Sequence, residues 1–364
     1  IIFEEIYWNL IFIHVYFNKW IINFDNQNIL YKKYFMILRR NIVKKKLVIG
    51  IIVTLLALTG IGYAIGDYFV NYALSPVSDS VNREINEEDK INIKEDAQNI
   101  IKSNQTKEMK KGEKFKNTTS SAEIKSNDGL KLKAKYKIQK KQTDKWVVLI
   151  HGYKSNNDNM MSYAEKYYKE GYNVLLPNNR AHGNSEGEYI GMGWLDKEDI
   201  SCWIDWIVKN DPKSKIILHG VSMGGATTMM TSGDNLDNVV GYIEDCGYTS
   251  VWDIFESELD KRFSLPAFPI LNISSTVANL KAGYDFTEAS SLEQVKKCKK
   301  PMLFIHGGKD DFVPTDMVYE VYNVANCKKD LYIVEQAGHA EAKDYDPDAY
   351  WDKVFNFINK NIEI

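Results

Sequence analysis

The stretch KIILHGVSMGGATTMM, residues 215–230, decides the fold. Lys215–His219 is a short apolar run of strand type. Gly220-Val221-Ser222-Met223-Gly224 follows at once, and Ala226–Met230 continues as a helix-compatible run. A G-x-S-x-G set between strand and helix holds its serine on a tight, strained turn. Side chains two residues either side of that serine would collide, so glycines occupy both places. The hydroxyl is thereby lifted to a helix N-terminus, where developing negative charge is favoured.

Working outward, further apolar runs alternate with segments of helical period. The runs are Trp146–Ile150, Asn173–Pro177, Val239–Glu244, Pro301–Ile305 and Leu331–Glu335. Runs this continuous suit strands buried on both faces of a parallel sheet. Between them lie helix candidates such as Asp196–Val208. Its Ile200, Trp203, Ile204, Ile207 and Val208 fall on one stripe. Ahead of the first run, Ala122–Ser126 and Leu130–Ile138 flank Asn127-Asp128-Gly129, which reads as a hairpin. The pattern predicts an α/β domain over residues 120–364, a mostly parallel sheet with helices on both faces. Sites in such sheets form at the carboxyl ends of strands.

A serine hydroxyl needs a base, and the base needs an acid to hold its tautomer. Where serine sits on such a strand–turn–helix, the acid and then the histidine follow it in the chain. His339 is the only histidine after His306, and lies in the small-residue loop Gln336-Ala337-Gly338-His339-Ala340. For the acid, Asp310 and Asp311 are adjacent at the end of one strand, and spacing does not separate them; Asp245 is a third candidate. The oxyanion donors are expected from the backbone N–H of Met223 and of Tyr153, in the loop His151-Gly152-Tyr153. His151 itself reads as loop-structuring.

These motifs, taken together, resemble the α/β-hydrolases. The residues are His151-Gly152, Arg180-Ala181-His182-Gly183-Asn184-Ser185-Glu186-Gly187, the Ser222 turn, His306-Gly307-Gly308-Lys309-Asp310 with Val313-Pro314, and Gly338-His339. They stand in the order of the bacterial branch related to serine aminopeptidase and to prolyl-oligopeptidase-type catalytic domains. The resemblance covers about residues 120–364. It implies Asp310 rather than Asp311 as the acid, because Val-Pro closes the family loop four residues beyond that aspartate. Gly191–Asp196 and Glu244–Ser250 also resemble a membrane-anchored bacterial subgroup. One departure is Pro177-Asn178-Asn179-Arg180, where many relatives carry an aspartate in a structural position. Repeats of the β-propeller kind do not precede the domain.

The stretch between the fourth and fifth parallel strands, about 248–295, is the place for a small helical lid. Trp252, Ile254, Phe255, Leu259, Phe263, Leu265, Phe268 and Leu271 give it an apolar side. That side suits either an acyl pocket or plain core packing.

Toward the N-terminus, Leu47–Gly66 is a run of 20 residues without a charge. At about 1.5 Å per residue it spans a hydrocarbon core of roughly 30 Å. It exceeds the usual apolar region of a signal peptide, about 7–15 residues, so an uncleaved transmembrane anchor is expected. Arg39, Arg40 and Lys44–Lys46 lie in the basic segment 36–46, and the next basic residue is Arg83. The positive-inside rule then places the domain on the extracytoplasmic face of a single-pass protein. Gly62 and Gly66 form one GxxxG, too little to argue helix dimerisation. Residues 67–119 read as a polar spacer. Residues 1–35 show no sustained period and precede Met36, so they are expected to be an extension ahead of the natural start.

Formal net charge is only −3, which argues against a nucleic-acid partner. Hydrophobic residues at 44% suffice for a sizeable core. Cys202, Cys246, Cys298 and Cys327 have no metal-ligand spacing, and no metal or cofactor is implied. The expected activity is hydrolysis of a carboxylic ester, or an amide, through an acyl-enzyme, with a small ester or short peptide as substrate. Peptidase, thioesterase and a non-catalytic surface binding module are the alternatives, the last disfavoured by an intact Ser222, Asp310 and His339.

Overall fold

The computed structural model describes residues 29–78 and 93–364, together with Ile11. The expected extension over residues 1–35 lies mostly outside the described residues. The chain divides into two units, Ile1–Ile61 and Gly62–Ile364.

The long helix α1 (Ile29–Leu74) begins in the first unit, where every residue from Leu47 to Ile61 is exposed, and its last turns belong to the second. Its mean hydropathy reaches 2.3, and by length and composition it can cross a membrane. With neither a charge nor a proline from Leu47 to Gly66, every residue there can take part in the backbone ladder.

The second unit is built on an eight-stranded sheet in the order β1-β2-β4-β3-β5-β6-β7-β8. The strands are β1 (Ser120–Lys125), β2 (Lys131–Lys137), β3 (Lys145–Ile150), β4 (Asn173–Pro177), β5 (Lys215–Val221), β6 (Val239–Asp245), β7 (Met302–Gly307) and β8 (Lys329–Val334). The hairpin β1–β2 joins β4 antiparallel, and all remaining pairs are parallel. Each expected strand is present within two or three residues of its expected ends. Successive residues alternate between two cores: Val147, Leu149, Ile217 and Leu303 on one face, Trp146, Val148, Ile216 and Met302 on the other. Runs with no polar face are therefore required, because both faces are covered.

In chain order the further helices begin with α2 (Glu95–Lys116), α3 (Met161–Lys169), α4 (Trp194–Asn210), α5 (Met223–Ser232), α6 (Val251–Phe263) and α7 (Ala267–Ala282). They end with α8 (Ser291–Val295), α9 (Asp316–Val324), α10 (Ala342–Tyr345) and α11 (Pro347–Asn361). The stripe foreseen in α4 is buried at Ile200, Trp203, Ile204 and Ile207. The insertion between β6 and β7, the expected place for a lid, consists of the helices α6, α7 and α8. Trp252 packs with Ile254 and Phe255 against the core beneath, whereas Phe268 is 76% exposed.

The stretch read as a polar spacer differs in two places. The last turns of α1, from Asp67 to Leu74, pack on the domain, with Val70 and Leu74 fully buried. A Cβ on Gly66 would lie 2.7 Å from Val277 Cγ2, so this glycine lets α1 approach α7. Gly66 thus serves packing within the chain. Further on, α2 buries Ala97, Ile101, Gly112 and Phe115, and Gly112 brings it against Met161 of α3. Five buried positions in 22 residues make a stripe too sparse for composition to reveal.

Candidate active site

Everything at the site hangs on the turn after β5. Ser222 adopts φ 58° and ψ −121°, a strained geometry for a residue with a Cβ. Its N–H is held by Asp245 O at 2.8 Å, and Met223 begins α5 immediately behind it. The flanking glycines are sterically required. A Cβ on Gly220 would lie 1.9 Å from Gly224 O, and one on Gly224 would lie 2.0 Å from Ile150 O.

His339 sits in the loop after β8, against the end of β7. A Cβ on Gly307 would come within 2.3 Å of Gly338 O, so the two loops cross in contact. Gly338 N–H donates to Glu341 Oε2 at 2.9 Å, which fixes the turn carrying the histidine. The imidazole then bridges two partners. Nε2 is 2.9 Å from Ser222 Oγ, and Nδ1 is 2.8 Å from Asp310 Oδ2.

Asp310 is almost fully buried and fully engaged. Its Oδ1 accepts the N–H groups of Phe312 and Val313 at 3.0 and 2.9 Å, and His306 Nε2 lies 3.3 Å from its Oδ2. Burial alone would raise its pKa, but the His339 and His306 contacts outweigh that and hold it well below the usual carboxylate range. For His339, burial works downward and the Asp310 carboxylate upward; the carboxylate wins, leaving the imidazole above its ordinary 6.5. Asp311 offers its main-chain carbonyl to Lys261 at 2.7 Å. Asp245 instead accepts the Tyr350 hydroxyl at 2.9 Å, and burial pushes its pKa up to about 6.

The two residues expected to supply oxyanion donors flank the serine. Met223 is its successor, and a Cβ on Gly152 would sit 3.2 Å from Ser222 Cβ, which puts the Gly152–Tyr153 segment alongside. His151 and His182 shape that segment: His151 Nε2 accepts Asn179 N–H at 3.0 Å, and His182 Nε2 accepts Lys154 N–H at 3.0 Å. Burial drives the pKa of His151 down to about 3, so it is a neutral, structural group. Asn178, where the family pattern has aspartate, accepts Asn157 N–H at 2.8 Å and does the structural work of that position. Arg180 is clamped by both oxygens of Asp199 at 2.7 and 2.8 Å, beneath the same loops.

Sequence reasoning passed over Cys246. Its Sγ, Asp310 and His339 present atoms within 4.8 Å of one another. Burial and the neighbouring carboxylates push this thiol well above its usual pKa, and His339 and Asp310 already hydrogen-bond each other. A thiol that stays protonated beside an already hydrogen-bonded pair makes a poor cation site. A positive φ of 51° at Cys246 is the local feature that turns the chain there, and no spacing rule announces it.

Two cavities reach Ser222. The first is apolar, lined by side chains that include Phe255, Leu259, Phe263 and Phe286. The second is polar, with Glu108, Lys116, Asp158, Lys343 and Asp344 on its walls.

With this geometry established, the comparisons place the chain. Residues 141–253 match the serine aminopeptidase family S33. The esterase Pf2001 of Pyrococcus furiosus superposes with a TM-score of 0.56 at 26% identity, over 67% of this chain and 92% of that one. The chain is a member of the α/β-hydrolase superfamily. Among curated relatives, the uncharacterized protein YqkD of Bacillus subtilis is 29% identical over 226 residues, covering 62% of this chain and 74% of its own. The uncharacterized membrane protein YNL320W of Saccharomyces cerevisiae is 23% identical, over 64% of this chain and 77% of its own. The family match and the superposition on an esterase support a hydrolase.

Proposed function

We propose that this protein is a serine hydrolase that cleaves a carboxylic ester through an acyl-enzyme. The observation that carries the reading is the hydrogen-bonded chain Ser222–His339–Asp310 on a strained strand-to-helix turn. In this scheme Ser222 Oγ attacks the carbonyl carbon while its proton passes to His339 Nε2. The resulting oxyanion is held by the backbone N–H groups of Met223 and Tyr153. His339 returns the proton to the leaving oxygen, the carbon–oxygen bond breaks, and the alcohol departs. Water then attacks the acyl-enzyme with His339 again as base, releasing the acid and restoring Ser222. Asp310, kept ionised, holds the imidazole tautomer and stabilises its cation.

The two cavities favour an ester with one apolar and one hydrophilic side, since the apolar cavity suits an acyl group and the polar one a leaving alcohol. The S33 match over residues 141–253 supports a second reading, cleavage of an amide in a short peptide. The basic residues ahead of Leu47 support an anchored protein with this domain on the extracytoplasmic face. No cofactor takes part in the scheme.

The test is turnover by the full chain in detergent of matched p-nitrophenyl esters and aminoacyl anilides. Ester turnover that vanishes in Ser222→Ala supports the reading, anilide turnover alone moves it to a peptidase, and turnover surviving the substitution overturns it. Modification of intact cells by a membrane-impermeant amine reagent tests the topology, with labelled domain lysines expected.

A further inference from the structure

The apolar cavity at Ser222 has an unexpected wall. Beside α6, which contributes Phe255 and Phe263, it is lined by Phe69, Tyr72 and Ala73 from the last turns of α1. The same helix carries the uncharged run Leu47–Gly66.

This wall is fastened in place. The rings of Phe69 and Tyr72 both meet that of Phe263 edge-on, at 5.4 Å. Arg262 Nη1 donates to Tyr72 Oη at 3.0 Å, and Lys281 of α7 pairs with Asp67 at 2.5 Å. Leu74 O accepts Ile190 N–H at 2.8 Å, and the Tyr153 hydroxyl donates to Ala73 O at 2.6 Å. Tyr153 therefore joins the end of α1 directly to the segment beside Ser222. The charged groups on the lining, Glu258 and Arg262, pair with each other at 2.6 Å, and apart from Ser222 and Ser274 the remaining side chains are aliphatic and aromatic. Such a lining recognises hydrocarbon by area and shape, and has little to offer a charged amino terminus.

We propose that the last two turns of α1, through Phe69 and Tyr72, are the specificity-determining wall of the acyl pocket, and that the group taken there is the unbranched acyl chain of a membrane lipid ester. The inference rests on the serine-hydrolase reading of Ser222. The chain that offers an apolar run long enough to cross a membrane supplies, directly after it, the wall that would recognise the acyl chain.

The experiment uses the full chain in detergent micelles, with p-nitrophenyl esters from acetate to decanoate, and Phe69→Trp and Phe69→Ala beside wild type. Wild type should favour the longer chains. Phe69→Trp should lower the decanoate-to-acetate ratio of kcat/KM by about tenfold, mainly through KM. Phe69→Ala should move the preference toward longer chains. Acetate turnover should change far less than decanoate turnover in both, and a small fluorophosphonate should still label Ser222 in both. Opposite shifts from two substitutions at one position are not what misfolding produces. Equal losses at every chain length, or a ratio unmoved in both variants, would overturn the proposal. A wild type that labels at Ser222 but shows no chain-length preference overturns this inference alone. A wild type that neither labels nor turns over removes the hydrolase reading, and this one with it.

Discussion

Ser222 Oγ and His339 Nε2 stand 2.9 Å apart across 117 residues of chain, joined by loops at the carboxyl ends of β5 and β8. That single contact turns an ordinary hydroxyl into a candidate nucleophile. Its strength depends on how firmly the two loops are held.

Asp310→Asn should leave the fold intact and lower kcat by about 10⁴-fold, since the amide permits the wrong tautomer of His339. Steady-state kinetics with an unchanged circular dichroism spectrum would check this. Asp311→Asn and Asp245→Asn should cost far less, because neither carboxylate bonds His339.

Activity should depend on pH through His339. The imidazole must be neutral to accept the serine proton, and Asp310 raises its pKa above 6.5. The rate should therefore fall as pH drops through that raised value and reach its plateau above it. In Asp310→Asn the supporting charge is gone, so the ascending limb of kcat/KM should move to lower pH. A limb that stays in place would assign it to another group.

The glycines of the turn should be intolerant. Gly220→Ala places a carbon 1.9 Å from Gly224 O, a backbone atom with nowhere to go. Overpacking against backbone should cost at least about 1–3 kcal/mol, visible as a lowered Tm or as no soluble protein. Gly66→Leu should likewise lower Tm by prising α1 from α7, where the nearest atom is Val277 Cγ2 at 2.7 Å.

The clamp on Arg180 gives a separate stability test. Its guanidinium engages both oxygens of buried Asp199, so Arg180→Ala strands a carboxylate and should cost about 3–5 kcal/mol in urea unfolding. Arg180→Lys should recover only part of it, because an ammonium cannot make the two parallel bonds.

Much of this was legible in the residues. The strands could be read because both sheet faces are covered, so Val147-Val148-Leu149 or Met302-Leu303-Phe304 carry no polar alternation to confuse them. Ser222 and His339 announced themselves through small-residue loops that close approach demands. Asp310 could not be told from Asp311 by spacing; in the structure it is Asp310 whose Oδ2 lies 2.8 Å from His339 Nδ1, a contact that depends on how the turn folds. The wall formed by Phe69 and Tyr72 was hidden, because a charge at Asp67 marks the end of an apolar run without marking the end of its helix. Helix α2 was hidden too, since lysines and glutamates crowd its exposed side and it buries only Ala97, Ile101, Glu108, Gly112 and Phe115.

The most direct test of the central claim is covalent. The full chain would be treated with a fluorophosphonate, digested and read by mass spectrometry, beside Ser222→Ala and His339→Ala. The account predicts stoichiometric label on the peptide carrying Ser222, none in Ser222→Ala, and labelling slowed by orders of magnitude in His339→Ala. Label on another residue, or a folded wild type that takes none, would contradict it.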